Sequence, residues 1–176
     1  MTEKVILVDV DDNKIGEMEK LEAHQKAQLH RAVSVFIFNS KGQLLLQKRA
    51  YEKYHSPGLW TNTACTHPRP DERTEFAAKR RLYEEMGIKH DKLTKLFDFI
   101  YKEQLDNELT EYEYDHVFMG VSDALPIPEP TEVSDFGYFD TSMLLEDINL
   151  NPDKFTVWFK KIAQKVISEY QTVNLY

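Results

Sequence analysis

The chain has 176 residues, 41% of them hydrophobic, and a formal net charge of −8 from 22 basic and 30 acidic side chains. This balance is typical of one soluble globular domain over residues 1–176, and the acidic excess argues against a broad nucleic-acid surface. One cysteine excludes an internal disulfide bond and favours the cytoplasm, and no apolar run reaches the roughly 18 to 20 residues of a membrane span.

The first half of the chain predicts β-strands joined by turns. β-branched, aromatic and alternating apolar residues favour four strands, and a run of small residues favours a fifth, short strand. These predicted strands are residues 4–10, 14–18, 32–38, 43–48 and 58–66. Residues 19–29 are polar and irregular, and they permit a short helix.

The second half predicts helices and three more strands. Thr74–Met86 is rich in helix-forming residues, and Gly87 follows at a position where glycine commonly ends a helix. The other predicted elements are strands at 93–102, 109–121 and 135–140 and helices at 141–147 and 155–170. The pattern predicts an α/β (α+β) fold, in which one domain carries a mixed sheet with helices on its faces.

Three carboxylates alternate along the predicted strand at 109–121. Glu111, Glu113 and Asp115 are two residues apart, so they share one face of the strand. Neighbouring anions repel one another, and a bound cation explains their clustering better than a structural role. The alternative is a solvated strand face.

Cys65 and His67 form a second candidate group, at the end of the short small-residue strand. A thiol close to an imidazole suits either a reactive pair or a metal site, although a lone cysteine is more often a buried core residue. His24 and His30 add two imidazoles, and three histidines with two carboxylates can fill an octahedral site. Their spacing requires the fold to bring them together.

A local basic segment, with Lys48, Arg49 and Lys53, stands out in an acidic chain. Such a segment is usually an ordinary solvated loop. The functional alternative is a phosphate clamp, because an arginine fork matches phosphate oxygens.

The predicted helix carries a more specific motif. Its residues resemble the Nudix box, a loop–helix–loop whose carboxylates hold divalent cations against a diphosphate. The box, G-x5-E-x7-R-E-U-x-E-E-x-G-U with U a bulky apolar residue, matches at Glu72, Arg80, Leu82, Glu84, Glu85, Gly87 and Ile88. Thr66 stands at the first glycine and Arg81 at the glutamate of the R-E pair. Arginine exchanges a metal ligand for a phosphate ligand, which disfavours hydrolysis.

The chain as a whole resembles the type I isopentenyl-diphosphate delta-isomerases, a branch of the Nudix superfamily. The resemblance spans roughly residues 4 to 170 and is most specific in TNTACTHP and EYEYDHVF, at residues 61–68 and 111–118. It implies a Nudix-like mixed β-sheet sandwiched between helices. It also implies an isomerase that converts isopentenyl diphosphate to dimethylallyl diphosphate through a tertiary carbocation.

The resemblance also assigns catalytic residues. Glu113, with Tyr101 nearby, matches the group that protonates the double bond, and Cys65 matches the base that removes a proton from C2. Trp158 matches the aromatic residue that covers the carbocation.

The resemblance further implies bound metals and a diphosphate site. A Zn²⁺, Mn²⁺ or Mg²⁺ site takes three histidines and two glutamates, and a second ion, Mg²⁺, arrives with the diphosphate. The implied metal ligands are His24, His30, His67, Glu111 and Glu113 for the first ion, and Glu85 with the Cys65 carbonyl for Mg²⁺. The implied diphosphate ligands are Lys20, Arg49, Lys53 and Arg81. The partner is then a small isoprenoid diphosphate, and we expect a monomer or a weak homodimer.

Two rival functions remain at this stage. One is a Nudix hydrolase that cleaves a diphosphate, against which Arg81 and the Cys65–Glu113 pair both argue. The other is an inactive binding module, which would not need so many buried charges. His55 and His90 have no role in either case, and we expect both at the surface.

Overall fold

The computed structural model describes residues 2–173, which form nine strands and four α-helices. The strands are β1 (Lys4–Val8), β2 (Lys14–Glu19), β3 (His30–Phe38), β4 (Leu44–Arg49), β5 (Trp60–Thr61), β6 (Ala64–Thr66), β7 (Thr94–Gln104), β8 (Thr110–Val121) and β9 (Val133–Phe139). The helices are α1 (Lys20–Gln25), α2 (Thr74–Met86), α3 (Thr141–Leu150) and α4 (Val157–Val173). A 3₁₀ turn at Pro152–Lys154 links α3 to α4.

The described strands join in one mixed sheet that is built around β3. On one side β3 pairs in parallel with β8, and β7 continues antiparallel to β8. On its other side β3 has three antiparallel partners in turn: β1 at His30, β6 between Val33 and Val35, and β4 at Ile37 and Phe38. β9 and β5 then pair with β4.

Helices cover both faces of the sheet because β3 is apolar on both faces. Val33, Val35 and Ile37 pack in one cluster with the buried side of α2. Phe36 and Phe38 point the opposite way and pack with the apolar stripe of α4 and with α3. The predicted α+β fold, a mixed sheet between helices, is confirmed. Within residues 2–173, no helix has both the length and the apolarity needed to cross a membrane.

Several predicted element boundaries differ from those of the structure by one to three residues. β1 ends at Val8 rather than at residue 10, because the Asp9 carboxylate accepts hydrogen bonds from the backbone N–H groups of Asp11 and Asn13. The C-terminal helix begins at Val157 rather than at residue 155, because Phe155 forms a β-bridge with Trp60. α3 continues to Leu150, three residues past the predicted end.

The single strand predicted at residues 58–66 is two strands. β5 pairs with β4, whereas β6 pairs with β3, so the chain changes partner at Asn62 and Thr63. Thr63 fixes this change, since its hydroxyl donates to the carbonyl of Leu45 at 2.6 Å and accepts from the N–H of Ile37 at 2.9 Å. This change of partner places Cys65, and His67 just after β6, next to the central strand β3.

Gly87, which ends α2, tests this account of the fold. Its φ is +66°, and an added Cβ would lie 2.8 Å from the carbonyl oxygen of Ile127. We expect Gly87→Ala to lower the free energy of unfolding by about 1 to 3 kcal/mol, since both the backbone and the contact are strained. Urea titration measures this. Gly16→Ala is the matched control and should change little, because its nearest neighbour would be Leu7 at 3.8 Å; equal losses in both variants would contradict the prediction.

Candidate active site

Four of the predicted metal ligands meet in one buried cluster. His24, His30, His67 and Glu113 each offer one ligand atom, and these four atoms all lie within 4.8 Å of one another. His67 Nε2 is 2.9 Å from Glu113 Oε1, and His30 Nε2 is 3.6 Å from the same oxygen. The cluster therefore has the ligand types and the spacing of a site for a divalent transition metal.

Sheet register and a short helix bring these residues together. His30 opens β3 and is the direct partner of Glu113 in the parallel β3–β8 pairing. His67 follows β6, which pairs with β3, and His24 lies on α1 with no exposed surface. His30 and Glu113, which are 83 positions apart in the sequence, therefore share one point of the sheet.

Two of the imidazoles are oriented for a metal. His24 Nδ1 donates to the carbonyl of Lys20 at 2.7 Å, and His30 Nδ1 donates to the carbonyl of Gln28 at 2.8 Å. These bonds place the proton on Nδ1 and leave the Nε2 lone pair free, as is usual for metal-binding histidines. The Nε2 atoms of both rings are buried and have no hydrogen-bond partner. These orphaned acceptors fit a bound cation.

Tyr101 joins the cluster to Glu111. Its hydroxyl is 2.9 Å from Glu111 Oε2 and 2.7 Å from Glu113 Oε2, and one hydroxyl proton serves one carboxylate at a time. Burial and the charge of Glu113 raise the pKa of Glu111 well above its usual range. Burial also acts to raise the pKa of Glu113, but the imidazoles of His30 and His67 outweigh it and hold that pKa well below its usual range. The pKa values of the two carboxyl groups are therefore shifted in opposite directions, so a shared proton favours Glu111 over Glu113.

Cys65 lines a cavity of about 270 Å³, together with His67, Tyr101, Glu111 and Glu113. Burial, together with the charges of Glu85 and Asp115, raises the pKa of the Cys65 thiol. The sulfur donates to Asn62 Oδ1 at 3.2 Å, and the backbone carbonyl accepts from Arg81 Nε at 3.3 Å. The sulfur and the carbonyl oxygen therefore have separate partners.

The four predicted diphosphate ligands also line this cavity. Arg49 lies over the ring of Trp158, with 5.3 Å between the guanidinium carbon and the ring centroid. Lys20 Nζ is 3.2 Å from a Glu3 oxygen. Lys53 and Arg81 both bind one oxygen of Glu132, the arginine at 2.8 Å. The structure thus brings the four cations to one cavity and pairs three of them with carboxylates.

Glu85, on α2, and Glu72, just before it, have different contacts. Glu85 is buried, burial raises its pKa, and its carboxylate lies 2.5 Å from Arg81 Nε and also accepts from Gln47. Glu72 instead binds the fork of Arg80 with two hydrogen bonds, at 2.7 and 2.9 Å. Glu85 therefore faces the cavity, whereas Glu72 fixes the loop before the helix.

The prediction that His55 lies at the surface is wrong. It is only 7% exposed, and burial lowers its pKa to about 3. Its Nε2 lies 3.9 Å from Glu111 Oε1, and its ring packs edge-on against Trp158 with centroids 5.9 Å apart. Nothing in the local sequence, YEKYHSP, signals this burial. Asn62 and Glu132 also lie among the site residues and were missed, because neither residue type marks a site by itself.

Comparison with known proteins identifies the family. The NUDIX domain matches residues 28–159. The isopentenyl-diphosphate Delta-isomerase 2 of Photorhabdus laumondii is 55% identical over 174 residues, covering 99% of this chain and 97% of the relative. The isopentenyl-diphosphate Delta-isomerase of Pectobacterium atrosepticum is 49% identical over 168 residues, covering 96% and 93%. The chain belongs to the isopentenyl-diphosphate Delta-isomerase family, among the NUDIX-domain proteins.

Solved structures of more distant proteins confirm the NUDIX fold. The crystal structure of DR0079 from Deinococcus radiodurans has a TM-score of 0.77 at 23% identity and covers 93% of this chain and 98% of its own. A MutT protein from Methanosarcina mazei has a TM-score of 0.63 at 18% identity, covering 81% and 95%. At these identities the likeness concerns the fold alone. In this isopentenyl-diphosphate Delta-isomerase family member, α2 is the helix of the NUDIX motif.

The metal site makes a direct prediction. We expect His24→Ala to weaken Mn²⁺ or Zn²⁺ binding at least about tenfold, because it removes an oriented buried ligand. Isothermal titration calorimetry with each metal measures the change. His90→Ala is the control, since His90 lies outside the cluster and contacts the carbonyl of Val121. Equal affinity in wild type and His24→Ala would contradict the assignment.

Proposed function

We propose that the chain catalyses the 1,3-allylic rearrangement of isopentenyl diphosphate to dimethylallyl diphosphate, which supplies isoprenoid precursors. One observation carries the proposal: a single cavity is lined by a thiol, by two carboxyl groups that share a tyrosine, and by an indole. This set suits protonation and deprotonation of an alkene. The names of the two relatives support the substrate.

Glu113 and Tyr101 supply the proton in this proposal. Protonation of the double bond at C4 needs a strong and well-placed acid, and it leaves a tertiary carbocation at C3. Burial and the charge of Glu113 raise the pKa of Glu111, and the Tyr101 hydroxyl lies between its oxygen and that of Glu113. The hydroxyl can therefore pass a proton from Glu111 to Glu113. Glu113 or Tyr101 then delivers it to C4.

Cys65 removes a proton from C2 and completes the rearrangement. Cys65 acts as a thiolate that has lost its proton to solvent. Burial, together with the negative charges of Glu85 and Asp115, opposes that loss. A divalent cation at Glu85 and the Cys65 carbonyl would offset this negative charge. Trp158 covers the carbocation, and a cation–π contact of this kind contributes roughly 2 kcal/mol when it is desolvated.

Divalent cations fit two places. The cluster of three histidines and Glu113, to which the Tyr101 hydroxyl joins Glu111, suits Zn²⁺, Mn²⁺ or Mg²⁺. The buried Glu85 carboxylate suits Mg²⁺ beside the diphosphate. When bound, these ions neutralise the diphosphate and strengthen the neighbouring acid. Lys20, Arg49, Lys53 and Arg81 hold the phosphate oxygens. We further propose a cytoplasmic enzyme that is a monomer or weak homodimer and needs neither membrane nor nucleic acid.

Hydrolysis of a diphosphate is the alternative function for a NUDIX-domain chain. Arg81 argues against it, because its guanidinium stands where the Nudix box has a glutamate and binds Glu85 directly. A hydrolytic site needs carboxylates there to hold metal ions and activate water. Isomerisation instead uses the thiol and the carboxyl pair, for which hydrolysis has no need.

The activity is tested by incubating the protein with isopentenyl diphosphate and Mg²⁺ in D₂O and recording NMR spectra. We expect dimethylallyl diphosphate with deuterium in a methyl group and no free phosphate. Cys65→Ala and Glu113→Gln should each lower kcat by roughly 10³-fold or more, because each removes an acid–base group. Unchanged substrate, release of phosphate, or a fully active variant would contradict the proposal.

Arg81 gives a separate test of the diphosphate site. We expect Arg81→Gln to raise KM for isopentenyl diphosphate roughly tenfold or more, since charge-assisted bonds to phosphate are among the strong ones. Steady-state kinetics measures the change. Arg73→Gln is the matched control, because Arg73 is mostly exposed and contacts Glu75 instead. A KM that is equal in the two variants would exclude Arg81 from the diphosphate site.

A further inference from the structure

Asn62 lies where β5 ends and the chain crosses to β6, and its side chain has no exposed surface. Three donors converge on its amide oxygen Oδ1. The Cys65 sulfur and Trp158 Nε1 each lie 3.2 Å away, and the Thr61 hydroxyl lies at 2.9 Å. One buried oxygen thus contacts both Cys65 and Trp158, which the proposed function places against the substrate.

The orientation of this amide is fixed by its other end. Asn62 Nδ2 donates to the carbonyl of Ala64 at 2.8 Å and to that of Val35 at 3.3 Å. Val35 and Ala64 are direct partners in the pairing of β3 with β6. Because both partners are acceptors, the nitrogen must face the sheet and the oxygen must face Cys65 and Trp158.

Competition among the donors favours the two site residues. A carbonyl oxygen has two lone pairs, so three donors cannot all bond to it well. Thr61 has a second partner, the hydroxyl of Thr156 at 2.8 Å, whereas the Trp158 indole can only donate. The amide oxygen is thus available to Cys65 and Trp158 together.

We propose that Asn62 is a positioning residue that holds the Cys65 sulfur and the Trp158 ring at fixed places on the isoprenyl unit. The protonated Cys65 thiol and the Trp158 indole both donate hydrogen bonds to this one fixed oxygen. These bonds set where the sulfur lies before it loses its proton and how the ring is turned. This inference rests on the proposed function, because it concerns removal of the C2 proton. The proposal predicts a selective effect. Loss of the Asn62 amide oxygen slows removal of the C2 proton and leaves diphosphate binding intact.

Asn62→Ala tests this with two isotope measurements. We expect kcat to fall roughly 10- to 100-fold, as misplacement of a reacting group by about 1 Å does, and KM to stay within about threefold. The kinetic isotope effect of C2-deuterated substrate should rise, because the Cys65 step becomes slower. The solvent isotope effect, which reports protonation at C4, should fall.

Thr61→Val is the matched control, since it removes a neighbouring donor from the same oxygen while leaving Cys65 and Trp158 in place. Its kcat and C2 isotope effect should stay close to those of the wild type. A folded Asn62→Ala variant with unchanged kcat, or with a reduced kcat and an unchanged C2 isotope effect, would overturn the proposal. In the second case Asn62 would be structural only.

A measurement on the wild type keeps the inference testable if Asn62→Ala does not fold. In protein with ¹⁵N-labelled tryptophan, the Trp158 indole N–H should be protected from exchange with D₂O, and an unprotected N–H would overturn the geometry. Wild-type turnover of isopentenyl diphosphate is measured first. Absent turnover defeats the proposed function, whereas turnover with no selective effect in the variant defeats only the role of Asn62.

Discussion

The parallel pairing of β3 with β8 is the constraint on which the site depends. It sets His30 directly opposite Glu113, and the antiparallel pairing of β7 with β8 sets Tyr101 opposite Glu113. A shift of one residue in either pairing would turn these side chains to the other face of the sheet. The two apolar faces of β3, packed against α2 and α4, fix that register. Core packing therefore determines the geometry of the cluster of His24, His30, His67 and Glu113.

An acidic protein can bind a diphosphate because its charges are organised locally. The described cavity carries cations from α1, β4, the following loop and α2, and carboxylates already hold several of them. These ion pairs orient long side chains before a ligand arrives, which reduces the entropy lost on binding. The same arrangement explains why the net charge of −8 says little about the ligand.

The NUDIX helix here has more than one use. Glu72 and Arg80 form a structural pair that ties the loop to the helix, while Arg81 and Glu85 face the cavity. Arg80 and Arg81 therefore have different contacts although they are adjacent, because successive side chains of a helix point in different directions. This separation lets a shared scaffold keep its shape while the chemistry at one position changes.

The sequence by itself determined most of the strand and helix pattern and the α+β fold, since hydrophobic periodicity is a local property. The candidate site residues came from its motifs and from its resemblance to a known family. Only the tertiary structure decided that His55 is buried, that residues 58–66 form two strands, and that Asn62 contacts both Cys65 and Trp158. These features depend on contacts between distant segments. No local pattern encodes them, because each depends on which strands become neighbours in the sheet.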